Sequence, residues 1–355
     1  MSRPIGPRRK SPPANRPDGF EPPYDAFEPR FREMNDLVMV IFGIERRSGN
    51  GEDLKGRLLT EFNHEAGPTI LEHAEVKTGF GPSSLIWFAY WRSKDAYTEW
   101  QDSSAIETLF DDETILSSDY GLWREFCHIS LDHNETSFSR ATDLTGLSAY
   151  ADALEVTPLH AYWGSMRDRI VAAADSALDA ELLSLNGNEH GLGNRIRFAA
   201  PANTCLIKTT QDWSQTTPEQ TDMYMSDVRP AYEDGVSFTR QNGAEVGCIG
   251  ARMVREHSMD GEPMDRTVTI GFWTSIGHLE EWTHSHPTHE RIMGEFMGMV
   301  ERFQGEPGLG LWHEVTVFPE GRLVGEYLNC TTDGTLMAML GSQIYSDQIG
   351  EQYDV

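Results

Sequence analysis

The chain has 355 residues, enough for one large domain or two ordinary ones, and its 29 basic against 56 acidic residues give a formal charge of -27. So acidic a chain argues against a nucleic acid or an anionic membrane as partner, since both require a basic face, and a small molecule is the expected ligand. Four widely spaced cysteines (Cys127, Cys205, Cys248, Cys330) form no CxxC pair, no run reaches the roughly 20 apolar residues of a membrane span, and no signal-peptide pattern opens the chain. A soluble protein of the reducing cytoplasm is expected.

Residues 1–21 mix Arg3, Arg8, Arg9 and Lys10 with Pro4, Pro7, Pro12, Pro13 and Pro17, which predicts a disordered arm rather than an amphipathic targeting helix. Residues 22–355 read as a single domain. Its first half (about 36–135) runs from an apolar strand at 37–44 through a helix at 54–63 to strands at 74–79 and 85–91. A helix at 95–109 and a strand at 122–131 complete it. A linker of about 143–203 follows. The second half (about 204–320) offers a strand at 204–209, a helix at 218–232 and strands at 247–255 and 266–273. Then come a helical stretch at 277–303 broken near Pro287 and a strand at 309–318. Residues 321–355 read as a tail.

The halves resemble one another. Residues 88–103 align with 270–285, so that Trp91, Ser93, Glu99, Trp100 and Ser103 coincide with Trp273, Ser275, Glu281, Trp282 and Ser285 at a constant offset of 182. Further on, GLWRE (Gly121 to Glu125) matches GLWHE (Gly310 to Glu314) at an offset of 189, so a few residues are inserted in the second copy. Each half reads β-α-β-β-α-β, the ferredoxin-like unit. The expected fold is therefore α+β: two ferredoxin-like pseudo-repeats packed as a dimeric α/β-barrel-type core with outer helices and a ligand pocket between the sheets. The GLW(R/H)E copies differ at one position, Arg124 against His313, and only histidine titrates near neutral pH unperturbed.

Five histidines lie between His278 and His313. Pro287 suits the first turn of a helix capped by Ser285 or His286, and Ile292, Met293, Phe296, Val300 and Phe303 share the face of His289, which turns it inward. Alternation along 309–318 groups Leu311, His313, Val315 and Val317 on one face, against Trp312, Glu314 and Thr316. A lone histidine on an apolar face is more often a satisfied core residue. Two that bound one pocket suit a haem, with one imidazole on iron and the other acting on its ligand. A zinc site would need three or four ligands, and no partners at that spacing are apparent. His284 lies off the face of His289 and reads as surface. A binding protein with purely structural histidines is the non-catalytic alternative.

The chain resembles the haem-containing aldoxime dehydratases, which convert aldoximes to nitriles, from about Pro22 to Asn329. The likeness is carried by YWGSMRDR (Tyr162 to Arg169), QDW at Gln211 to Trp213, NGAEVGC (Asn242 to Cys248), SHPTH (Ser285 to His289), LWHEV (Leu311 to Val315) and EYLNC (Glu326 to Cys330). It implies haem b held by His289, active when ferrous, with the aldoxime nitrogen on iron. His313 is then the distal group that protonates the departing hydroxyl before the carbon-bound proton is lost. It also assigns Arg169 and Glu135 to the network around that histidine and commonly implies a homodimer. By position, Phe296, Leu311, Ser137 and Ala26 line the substrate pocket. Two departures stand out. Thr209 occupies the position of the family's serine, keeping a hydroxyl but adding a methyl, and Thr331 follows Cys330 where the family has a histidine. The threonine leaves open a haem-binding relative with peroxidase-like or other N–O or N–N chemistry.

Overall fold

The computed structural model describes residues 13–48, 51–142, 144–183 and 191–340. The first half comprises β1 (Phe27–Arg30), β2 (Asp36–Arg46), α1 (Glu52–Phe62), β3 (Ile70–Val76), β4 (Ser84–Trp91), α2 (Lys94–Ser103), α3 (Ile106–Phe110), β5 (Tyr120–Ser130) and β6 (Asn134–Phe138). The expected linker holds β7 (Ala153–Val156), α4 (Ser165–Arg169) and β8 (Arg195–Ala199). After it come β9 (Cys205–Asp212), α5 (Pro218–Met223), α6 (Arg229–Gln241), α7 (Gly243–Val246), β10 (Cys248–His257) and β11 (Pro263–Trp273). The last elements are α8 (Ile276–Ser285), α9 (Pro287–Arg302), β12 (Gly310–Val317) and β13 (Leu323–Leu328).

The described strands form one antiparallel sheet in the order β7-β1-β6-β12-β9-β11-β10-β3-β4-β2-β5-β13-β8. Its ends, β7 and β8, do not pair, so the hydrogen bonding is open and not a closed ring. The two halves meet edge to edge where β3 pairs with β10, Val76 opposite Val254 and His73 opposite His257. The sheet nevertheless folds over on itself: Met39, Ile41, Ile86 and Phe88 of the first half share one buried cluster with Leu206, Val268, Ile270 and Phe272 of the second. Strand β4 shows why its sequence is apolar from Leu85 to Trp91. Ile86, Phe88 and Tyr90 enter that shared core, while Leu85, Trp87, Ala89 and Trp91 face the helices outside.

Among the described residues, the pocket expected between the half-sheets is absent. That layer is filled by large apolar side chains and by buried polar groups, among them Lys208 donating to Glu72 and to the Tyr90 hydroxyl, and Arg252 and Tyr327 donating to Glu125. Unpaired charge would be costly in such a layer, which explains why each cation there has a carboxylate partner. The cavity opens instead on the opposite face of the second half's sheet, under α6, α8 and α9.

Two terminal segments also depart from expectation. In the predicted arm, residues 13–21 pack on the protein, with Asn15 bonded to Asp168, whereas residues 1–12 lie outside the described residues. In the predicted tail, β13 is a full sheet member between β5 and β8, and residues 341–355 lie outside the described residues. Among the described residues no helix is long and apolar enough to cross a membrane.

Candidate active site

Strand register builds the floor of the cavity. Ser137, His313, Thr209 and Thr269 stand in one row across β6, β12, β9 and β11. Directly opposed residues on neighbouring strands have Cβ atoms about 5 Å apart, so hydroxyl groups flank His313 on both sides. Val315, Ile207 and Gly271 form the next row on this face. Thr210 opposes Trp312 on the other face and is buried, which leaves Thr209 as the threonine that faces the cavity.

The same row in the first half reads Arg124, Phe42, Trp87. Trp87 precedes Thr269 by the offset that relates the two halves, 182. There the space is packed solid by Phe42, Trp87, Trp91, Trp100 and Phe110, and Arg124 lies over the Phe110 ring at 4.2 Å with Glu107 and Glu326 on its guanidinium. The second half has space because threonines stand where the first has a phenylalanine and a tryptophan. The resulting cavity is about 640 Å³, within the usual range for a cofactor or substrate site.

Helix α9 forms the roof. Proline at its first position and a His286 side chain that accepts from the Thr288 amide start it sharply. Its cavity-facing residues His289, Ile292, Met293, Phe296 and Met297 follow helical spacing. The His289 ring stands edge-on to Trp282 at 4.9 Å, and its Nδ1 is buried without a hydrogen-bond partner. Burial pushes its pKa down to about 4, against a smaller upward pull from the Thr283 backbone. The imidazole is therefore neutral at physiological pH, the form that binds a metal.

Opposite, His313 meets two charged groups at Nε2: the Arg169 Nη2 at 3.2 Å and the Glu135 Oε1 at 2.9 Å. The approach to Oε1 is off the axis of the ring N–H, so that oxygen lacks a well-aimed donor, whereas Oε2 accepts from Arg169 Nε at 2.7 Å. Burial raises the Glu135 pKa, but Arg169 and His313, by charge and hydrogen bonding, outweigh it and hold the carboxyl below its ordinary value. Arg169 also donates to the Leu159 carbonyl and is buried at 9% exposure, so it is no ordinary surface charge. Glu135 lies behind His313, outside the main cavity, and together with Arg169 lines a second, smaller cavity of about 50 Å³.

Ala26, Ser137, Thr209, Phe296 and Leu311 all line the main cavity with His289, His313 and Arg169. His284, read as surface, is exposed but stands on the rim against the Trp163 ring at 4.7 Å. Sequence reasoning missed Tyr232 and Thr269. Burial raises the Tyr232 pKa to about 12, offset in part by the Thr269 and Thr209 hydroxyls, and Thr269 Oγ1 is buried without an aligned partner. The replacement of Trp87 by Thr269 at equivalent positions was the available signal.

These features define a mixed α/β protein built around a large cavity with an imidazole on each of two facing walls. Residues 41–335 match the haem-containing dehydratases, and the chain belongs to that family. It is 33% identical over 322 residues to the phenylacetaldoxime dehydratase of Bacillus sp. (strain OxB-1), covering 89% of this chain and 92% of that protein. To the aliphatic aldoxime dehydratase of Rhodococcus globerulus it is 30% identical over 325 residues, 88% of this chain and 90% of that protein. An aldoxime dehydratase solved in complex with butyraldoxime has the same fold, with a TM-score of 0.83 and 28% identity over 95% of this chain and 94% of that one. The residues present fit a haem: a neutral imidazole facing a cavity with a largely apolar wall on α9 and a second imidazole on the opposite wall.

Proposed function

We propose that this chain is a haem-dependent lyase that dehydrates aldoximes to nitriles. The observation that carries the proposal is that His289 and His313 face one cavity from its helical and strand walls in a member of the haem-containing dehydratase family. His289 would hold a haem b through its iron. When bound in the ferrous state, the haem supplies a site for the oxime nitrogen and electron density toward the N–O bond.

The protein's own residues handle the protons. His313 gives the Nε2 proton to the oxime hydroxyl, which leaves as water, and then takes the proton from carbon, so the imidazole returns to its starting state. Arg169 and Glu135 serve the two states in turn: Nη2 donates to the bare nitrogen, and the carboxylate stabilises the protonated ring. Thr209, directly opposite His313, orients the oxime hydroxyl, while Phe296, Leu311 and Ser137 shape the pocket for the rest of the substrate. We further read the halves as ferredoxin-like pseudo-repeats, supported by strand orders β3-β4-β2-β5 and β12-β9-β11-β10 that mirror each other. A homodimer and a cytoplasmic setting complete the proposal, resting on family likeness and on composition.

Protein supplied with haem and dithionite should form nitriles from aliphatic or aryl aldoximes. His289→Ala should lose the Soret band, whereas His313→Ala should keep it and lose turnover by about 10²-fold to 10⁴-fold. Haem-loaded, reduced protein that forms no nitrile from any aldoxime in such a panel would refute the proposal.

A further inference from the structure

Arg169 ends α4, a helical turn of five residues, too short to be stable alone. Its neighbour Asp168 is 1% exposed. The Asp168 carboxylate accepts from the Ala14 amide (2.9 Å), the Asn15 amide (3.1 Å to Oδ2), the Asn15 side-chain amide (3.1 Å) and the Tyr162 hydroxyl (2.9 Å). Three of these four donors come from a segment some 150 residues earlier in the chain. Asn15 also rests on Gly164, the residue that starts α4 with φ of 82°, where a Cβ would come within 2.6 Å of the Asn15 side chain. Further along the same segment, Phe20 stands edge-on to Tyr162 at 5.4 Å, and Pro23, Tyr24 and Ala26 line the cavity.

Adjacent residues of the turn thus carry opposite duties. Asp168 is gripped by residues 14 and 15, while Arg169 reaches Glu135 and His313. Four donors satisfy the acceptor sites of this buried carboxylate, and three of them come from residues 14 and 15, so the early segment and the turn that carries Arg169 are fixed to one another. We propose, on the footing that His313 and Arg169 act as described above, that residues 14–20 form a positioning strap: through Asp168 the strap sets α4 so that the Arg169 guanidinium meets both Glu135 and His313. Asp168, Asn15 and Tyr162 are then positioning residues that act through Arg169.

The test compares Asp168→Asn, Asn15→Ala and Tyr162→Phe in haem-loaded enzyme, with rates normalised to haem content and the Soret spectrum recorded for each. Asp168→Asn should lower kcat about tenfold or more with KM changed little, because displacement of a catalytic group by even an ångström costs that much. Asn15→Ala and Tyr162→Phe, which each remove one donor, should give smaller losses in the same direction. In an Arg169→Lys background the Asp168→Asn change should add less than about twofold, since residues acting in series are not additive. Full kcat in Asp168→Asn, or an undiminished further loss in the Arg169→Lys background, overturns the strap. If Asp168→Asn does not fold, Asn15→Ala and Tyr162→Phe decide, and unchanged kcat in both overturns it. His313→Ala separates the two levels: retained turnover there refutes the catalytic assignment itself, whereas lost turnover with unaffected strap variants refutes the strap alone.

Discussion

At His313 a cation and a carboxylate contend for one nitrogen, and neither is marked locally in the sequence. Glu135 sits in an ordinary polar stretch and Arg169 in a charged string; only the approach of β6 and α4 to β12 reveals them as a buried pair. His313 itself was legible, because strand alternation sets its face and the GLWRE copy supplies a contrast. In the proposed mechanism Thr209, opposite His313 on the cavity floor, is the residue on which the chemistry would turn. Thr209→Val keeps the shape but removes the hydroxyl, and kcat should fall about tenfold or more, as for a lost hydrogen bond to a charge-developing group. Thr209→Ser should retain the rate with small aldoximes and gain on bulky ones, because the methyl is gone and the side chain is freer. Measured kcat/KM across a series of aldoxime sizes checks both, and full activity in Thr209→Val would remove the hydroxyl from the mechanism.

Among elements, equivalent rows on the two half-sheets have opposite fates. Arg124, Phe42 and Trp87 close one, while His313, Thr209 and Thr269 open the other. Thr269→Trp restores the bulk found in the first half. It should abolish haem uptake while leaving a folded protein, to be followed by the Soret band and by circular dichroism. Wild-type haem binding in that variant would place the cofactor away from Thr269. Helix α9 was legible down to its break at Pro287, and of the two caps the sequence offered, Ser285 and His286, the structure uses His286. The cavity's position was not. Periodicity tells which residues leave the solvent, but every residue of a two-sided buried strand does so, and only packing shows which of the two layers has space.

Taken as a whole, the molecule should respond to pH through two carboxylates shifted in opposite directions, the half-exposed Glu107 and the buried Glu256. Burial raises the Glu107 pKa, but Arg124 outweighs it and brings it down to about 2. Such a depressed carboxyl contributes stability that is present above the unfolded pKa of about 4.3 and is lost as pH falls through the folded value. Glu256 is the reverse case: burial first, then the like charge of Glu72, outweigh its contact with Arg266 and raise its pKa to about 7. Its contribution is present below about pH 4.3 and is lost as pH rises through 7. Urea midpoints against pH should therefore show Glu107→Gln flattening the acid limb between about 4.3 and 2, and Glu256→Gln flattening the decline between about 4.3 and 7. Unchanged slopes in both variants would contradict these electrostatic assignments.

By itself the sequence determined the order of strands and helices in each half, the inward faces of His289 and His313, and the family, because these depend on local periodicity and on short motifs. The tertiary structure alone decided that the sheet stays open, that the cavity lies beneath the second half's helices, that Asp168 is held by the chain's early residues, and that Arg169 and Glu135, which the family likeness assigned to His313, reach it as a buried ion pair. Those outcomes depend on side chains far apart in sequence competing for the same volume and for the same buried charge, which no local pattern records.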